Sequence, residues 1–211
     1  MNGKTSNRRT ASLFHLIRGV AVTCALALAG CVGIVAAQGT YRIGDAYTVQ
    51  LDRVWSDATT LMSANPRHVM FFTRNGWALD RLYMTNGLPV GQALVSEVSR
   101  NQRRTDDKQV PLVRAGMSEL ELVEFVADSM AFWDMQQIQT DEVRPASFGP
   151  HEGVAFDISA RRPNGLDMKA TGVAAQAGDK VYLLLFISTR EHYFDTLKAD
   201  VDRIAASVRF P

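Results

Sequence analysis

Apolar and polar positions alternate loosely over residues 41–54, with Tyr47, Val49 and Leu51 facing one way and Thr48, Gln50 and Asp52 the other. A period of two residues marks a half-buried strand. Two further apolar runs, residues 69–74 and 77–84, flank the dipeptide Asn75-Gly76. Asn-Gly tolerates positive φ at both turn centres, so the pattern predicts a β-hairpin with a two-residue turn. A second turn is expected at Thr85-Asn86-Gly87. Residues 100–116 hold a charged cluster and a proline but keep no period, and read as a long loop.

The period changes at Ser118. Ser118 and Glu121 have capping-box spacing, in which hydroxyl and carboxylate satisfy helix N-terminal amides that otherwise lack partners. Leu122, Val123, Val126, Met130 and Trp133 follow at helical intervals, and Glu119, Glu121 and Glu124 suit the positive end of the helix dipole. Strands are then predicted at residues 142–147, at 153–160 with Val154, Phe156 and Ile158 on one face, and at 167–175. Pro163-Asn164-Gly165 turns the chain between the last two. The most apolar run, Lys180-Val181-Tyr182-Leu183-Leu184-Leu185-Phe186-Ile187, predicts a central strand buried on both faces. A closing helix over 190–206 places Phe194, Leu197, Val201, Ile204 and Val208 on one stripe. Strands, a helix, an antiparallel meander and a last helix together predict an α+β domain: an antiparallel sheet with helices packed on it, α/β/α sandwich-like.

The first thirty residues follow a different logic. Residues 1–18 are polar and basic, residues 19–30 are apolar and uncharged, and small residues precede Cys31, which is the layout of an export signal. Leu28-Ala29-Gly30-Cys31 resembles the lipobox of bacterial lipoproteins. The resemblance implies cleavage between Gly30 and Cys31 and acylation of the Cys31 thiol by diacylglycerol. An uncleaved signal anchor, or ordinary cleavage near Ala37, are the alternatives. The expected organisation is therefore a signal peptide over 1–30, a short tether over 31–40 and one globular domain over 41–211. Val32 follows the cysteine where lipoproteins kept in the inner membrane carry Asp, so the same resemblance implies the periplasmic face of the outer membrane.

Composition changes the picture only after that segment is set aside. Apolar residues make up 46% and charged residues 21% of the chain, an ordinary globular balance. Loss of 30 of the 211 residues leaves about 180, enough for a self-sufficient core. Lys4, Arg8, Arg9 and Arg18 leave with the signal, so 22 acidic residues outweigh the remaining basic ones by about three. Nothing in that balance attracts nucleic acid. Arg103-Arg104 is answered at once by Asp106-Asp107 and reads as a solvated loop. The two cysteines are Cys24, inside the signal, and Cys31, which excludes a disulfide, a thiolate zinc site and a cysteine nucleophile from the mature domain.

Chemistry-bearing motifs are sparse. The sequence has no Gly-x-Ser-x-Gly elbow, His-Glu-x-x-His pair or phosphate-binding glycine loop, so catalytic residues, resident metal and cofactor are all expected to be none. One cluster invites a metal reading: His151-Glu152 near Asp157, with Glu191-His192 before the last helix, which a meander could bring together. Isolated histidines are more often surface or hydrogen-bonded groups. Trp55, Trp77, Trp133 and Tyr83 could line a ligand groove, against the simpler reading that large aromatics at these spacings are core. Met62, Met70, Met84, Met117, Met130 and Met135 read as gap-filling or surface residues.

From Ser118 onward the chain resembles the PsbP-like (Mog/PsbP) fold. The resemblance is carried by the capped helix, by Phe148-Gly149-Pro150-His151-Glu152-Gly153-Val154-Ala155-Phe156, by residues 181–187 and by the ending Val201-Asp202-Arg203-Ile204-Ala205-Ala206-Ser207-Val208-Arg209-Phe210. It implies a protein that binds partners or helps assemble complexes, with no shared catalytic set to carry over. The expected function is a membrane-anchored, non-enzymatic binding, scaffold or assembly module of the cell envelope with a protein partner, using residues 100–116 as a contact surface. The alternative is a small-molecule or lipid carrier with an apolar pocket between sheet and helices.

Overall fold

The apolar run expected at the centre of the sheet does sit there, and it explains the rest of the architecture. The computed structural model describes residues 33–63, 65–94 and 109–211; Leu28 to Cys31 and the first part of the 100–116 loop lie outside them. Among the described residues the strands are β1 (Val35–Ile43), β2 (Tyr47–Asp57), β3 (Val69–Thr73), β4 (Asp80–Thr85), β5 (Leu88–Pro89), β6 (Gln136–Phe148), β7 (His151–Arg161), β8 (Asp167–Ala177) and β9 (Lys180–Thr189). The helices are α1 (Thr59–Met62), α2 (Glu119–Phe132) and α3 (Tyr193–Ala206). All strand pairs are antiparallel, in the order β1-β2-β3-β4-β9-β8-β7-β6, with β5 also against β9.

Because side chains alternate along a strand, β9 supplies two cores at once. Val181, Leu183, Leu185 and Ile187 face α2, with Val154, Phe156, Ile158, Leu122, Val126 and Met130. Leu184 and Phe186 face the other way, with Phe194, Leu197, Val201 and Ile204 of α3 and with Tyr47, Val49, Leu51 and Trp55 of β2. One helix on each face gives the α/β/α layering that the strand and helix order predicts. Ser118 caps α2 as expected: its hydroxyl accepts the Glu121 amide at 3.3 Å and its own amide donates to Glu121 Oε2 at 2.9 Å.

Four local expectations need correction. Residues 41–54 are not one strand but the inner halves of a hairpin, because the chain reverses between Ile43 and Tyr47, where Gly44 holds φ at 54°. Residues 35–40, expected as tether, belong to β1, whose Val35 pairs with Asp57. The chain therefore enters the sheet four residues after Cys31. The hairpin around Asn75-Gly76 is wider than a two-residue turn, for Phe72 opposes Leu82 and residues 74–79 form the loop. The buried Asp80 carboxylate organises it by accepting from Thr73 Oγ1 (3.0 Å), the Arg74 amide (2.6 Å) and the Asn75 amide (2.8 Å). The last helix starts at Tyr193 rather than Arg190, since His192 has φ of 69° and breaks the helical path.

The turn at Asn86-Gly87 is a bend that keeps the chain on β9. Leu88 pairs with Val181 while Met84 pairs with Leu184. At the step between them Thr85 Oγ1 donates to Val181 O at 3.0 Å and accepts the Leu183 amide at 2.8 Å, taking the place of a backbone group.

Candidate functional site

A groove of about 640 Å³ runs along the outer side of α2. Glu121, Glu124, Phe125, Asp128, Ala131 and Phe132 recur at intervals of three and four residues, so they form one face of the helix. The opposite wall is Val110, Pro111, Leu112 and Arg114, with Met117 below. Met117 and Phe125 make the floor apolar, Val110, Pro111 and Leu112 give the second wall an apolar stretch that ends at Arg114, and carboxylates edge the helix side. Arg114 Nη2 holds Glu121 Oε1 at 2.9 Å, which leaves Glu124 and Asp128 exposed on the rim. Hydrogen bonds from the Ser118 amide and hydroxyl keep the Glu121 carboxyl below its usual range.

The second wall is fixed rather than loose. The Gly91 amide donates to Val113 O at 2.9 Å and the Val113 amide to Gln92 O at 2.9 Å. Gln176 of β8 adds a two-sided clamp, donating to Arg114 O at 2.9 Å and accepting the Met117 amide at 2.6 Å. The described part of the 100–116 segment is thus held at Val113 and Arg114, while Leu112 stays exposed. The sequence held a signal for the groove, the spacing of Glu121, Glu124 and Asp128 on a predicted helix. It gave no sign of the wall, which depends on backbone pairing between residues 91–92 and 113.

The residues singled out for a metal do not meet. Thr189 pairs with Met168 and Met168 with Ala160, so Glu191-His192 follows the end of β9 beside the end of β7. His151 begins β7, nine residues away, about 30 Å along the strand. Its ring stacks on Tyr182 with centroids 5.6 Å apart and meets the edge of Phe210 at 4.9 Å. Asp157 sits instead 3.5 Å from Arg144 Nη1. Among the described residues no group of three or more His, Cys, Asp or Glu is placed to hold a metal ion.

The aromatic groove also dissolves into separate environments. Trp55 is core against Phe186, Trp133 stacks on Tyr83 with centroids 4.6 Å apart, and Trp77 is exposed with Arg81 Cζ 5.7 Å from its ring centre. Where a carrier would need an apolar pocket between sheet and helix, Phe156, Ile158, Leu185 and Ile187 under α2 and Leu184 and Phe186 under α3 are buried, and the groove of about 520 Å³ between the sheet and the start of α3 is lined mainly by charged groups, Asp141, Glu142, Asp157, Lys169, Asp195 and Lys198.

Two polar clusters have structural work. Asp200 of α3, buried, meets Arg53 Nε at 3.2 Å, Arg74 Nη1 at 3.6 Å and Arg203, and Arg203 Nε lies 3.3 Å from Asp52. It ties α3 to β2 and to the β3–β4 loop. The Tyr41 hydroxyl donates to Asp57 Oδ2 at 2.6 Å, and burial together with that carboxylate pushes its phenol up to about 12. Burial also raises Tyr47, well above its ordinary value, and Tyr83. A raised folded-state phenol stabilises the protein fully below its unfolded value near 10 and loses that contribution as pH rises through the folded value. The folded protein should therefore absorb less as phenolate at about pH 11 than the denatured chain, and Tyr41→Phe should remove a titration step near 12. Equal absorbance in both states would contradict these assignments.

Among the described residues no helix is long and apolar enough to cross a membrane. No family model matches the sequence. No curated protein matches it either. Among solved structures, the solution structure of cyanobacterial PsbP (CyanoP) from Synechocystis sp. PCC 6803 is similar at a TM-score of 0.47 and 12% identity, over 86% of this chain and 95% of that one. The crystal structure of LpqN, described as involved in cell envelope biogenesis of Mycobacterium tuberculosis, is similar at a TM-score of 0.34 and 12% identity, over 86% and 87%. The chain is an α+β domain, a multi-stranded antiparallel sheet with helices packed against it.

Proposed function

We propose that this protein is a lipid-anchored, non-enzymatic binding module of the bacterial cell envelope, which docks a polypeptide segment in the α2 groove. The observation that carries the reading is the groove's construction: an apolar floor with a one-sided rim of carboxylates on a rigid helix, opposed by a clamped wall. Such a groove suits an amphipathic segment with apolar anchors and basic flanks, since desolvated apolar contacts supply affinity and rim charges supply steering. The lipobox Leu28-Ala29-Gly30-Cys31 supports the anchor, and Val32 supports the outer membrane, periplasmic face, as its site.

Each half has its own test. Cys31→Ser should remove a diacylglycerol-sized mass and leave residues 1–30 attached, with the domain still folded; a variant processed to the parent's mass would overturn the anchor. A photocrosslinking side chain at position 112, on the groove wall, should capture a discrete partner in intact cells at native expression. The same group at position 120, exposed on α2 but outside the groove, should not. Glu124→Lys with Asp128→Lys should abolish the product at 112. No product at 112, or one indifferent to the charge reversal, would overturn the groove as docking site.

A further inference from the structure

Exposed apolar side chains gather where the chain joins the sheet. Ile34 and Val35 are 60% and 52% exposed, and Leu61 and Met62 of α1 are 61% and 39% exposed. Val35 is the partner of Asp57, and Asp57 Oδ1 accepts the Thr59 amide at 2.9 Å to open α1. The Leu61 and Met62 amides both donate to Ala58 O. The two apolar pairs thus lie at the same end of the sheet, Val35 on the side of the strand that Ala37 buries and α1 following Ala58 on the other side. Val54, 49% exposed, stands three residues back along β2. Asp57, the nearest carboxylate in this stretch, is engaged by the Thr59 amide and the Tyr41 hydroxyl.

The two edges of the sheet differ in how they begin, for β1 has a bulge between Ala37 and Gly39 and Arg42 farther along but no charge in its opening residues. β6 carries Asp141, Glu142, Arg144 and Pro145, the charges and proline that keep an edge from pairing with other chains. β1 opens with Val35-Ala36-Ala37, directly after Ile34. Ile34 lies three residues from Cys31, at most about 10 Å of extended chain. That reach matches the roughly 5–10 Å to which apolar side chains enter the interfacial layer of a bilayer.

We propose that Ile34, Val35, Leu61 and Met62 form a membrane-contact collar, which lies in the interfacial layer of the bilayer that holds the acyl chains. The inference rests on the reading of Cys31 as the acylated residue. The anchor alone would leave the domain free to tumble on its stem. The collar is a second contact, and it fixes β1 and α1 toward the lipid.

The mature chain has no cysteine besides Cys31, whose sulfur carries the lipid, so a single introduced cysteine takes a polarity-sensitive fluorophore selectively. The full-length chain bearing Leu61→Cys, produced in an acylating host, is labelled and reconstituted in phosphatidylethanolamine–phosphatidylglycerol vesicles. Leu120→Cys, 63% exposed on α2, is the control. The label at 61 should shift to the blue and its iodide quenching should fall about threefold on reconstitution, with no change at 120. Acylated protein with equal quenching at both positions overturns the collar and leaves the anchor standing. A protein of unacylated mass overturns the anchor and the collar with it.

Discussion

Asp80→Ala should lower the melting temperature by about 6–12 °C, from a loss of about 3 kcal/mol in a domain of this size. The carboxylate is 0% exposed and accepts from the Thr73 hydroxyl and from the Arg74 and Asn75 amides. Hydrogen bonds to a charged acceptor contribute about 1.5–3 kcal/mol each, but they act here as one unit, so the loss is less than their sum. Truncation strips three donors of a buried acceptor at once. Asp80→Asn keeps the shape and one acceptor oxygen but points an amide at groups that are themselves donors, so it should recover less than half of the loss. Hydrogen exchange gives the local check. The Arg74 and Asn75 amides should become unprotected in the variant well below its melting temperature, whereas the β8–β9 ladder stays protected. A melting temperature within 2 °C of the parent's, on the order of 1 kcal/mol or less, would show that the loop is organised by something else.

That loop also shows where reading from sequence stops. Asn75-Gly76 is a strong hairpin signal, and a hairpin does form between β3 and β4. Its register is decided by Asp80, whose burial and three donors appear only once the chain has folded back on itself. The hairpin of β1 and β2 was hidden for a related reason: apolar alternation continues across Gly44-Asp45-Ala46, so periodicity alone joins two strands into one. The Ser118–Glu121 box was legible because its partners lie within one helical turn. β9 was legible because burial on both faces leaves no polar position to hide. The groove along α2 was half legible. Its helix face follows from spacing, whereas its wall requires residues 91–92 to meet Val113 and Gln176 to reach Arg114 across the fold. The apolar collar at Ile34, Val35, Leu61 and Met62 was missed because its two halves lie on separate elements that only the Val35–Asp57 pairing joins.

Phe156→Ala should be the most damaging single truncation in the core beneath α2, at about 3–5 kcal/mol. Phe156 is 0% exposed on β7 and lies directly across from Gly172 on β8. A Cβ built on Gly172 would meet the Phe156 ring at 2.6 and 2.8 Å and the Leu184 carbonyl at 2.9 Å. The ring therefore covers the glycine, an arrangement in which an aromatic residue shields the bare backbone of its cross-strand partner. Two consequences separate this account from ordinary core packing. Gly172→Ala, which normally favours a strand, should here destabilise, since its methyl meets a ring and a backbone oxygen that have nowhere to go. In the Phe156→Ala background the ring is gone and only the Leu184 carbonyl remains in the way, so the same change should do less harm. A double-mutant cycle by urea unfolding should give a coupling of at least about 1 kcal/mol in that sense. Additive losses would mean that ring and glycine are independent neighbours, and that β7 and β8 are held together by the ladder alone.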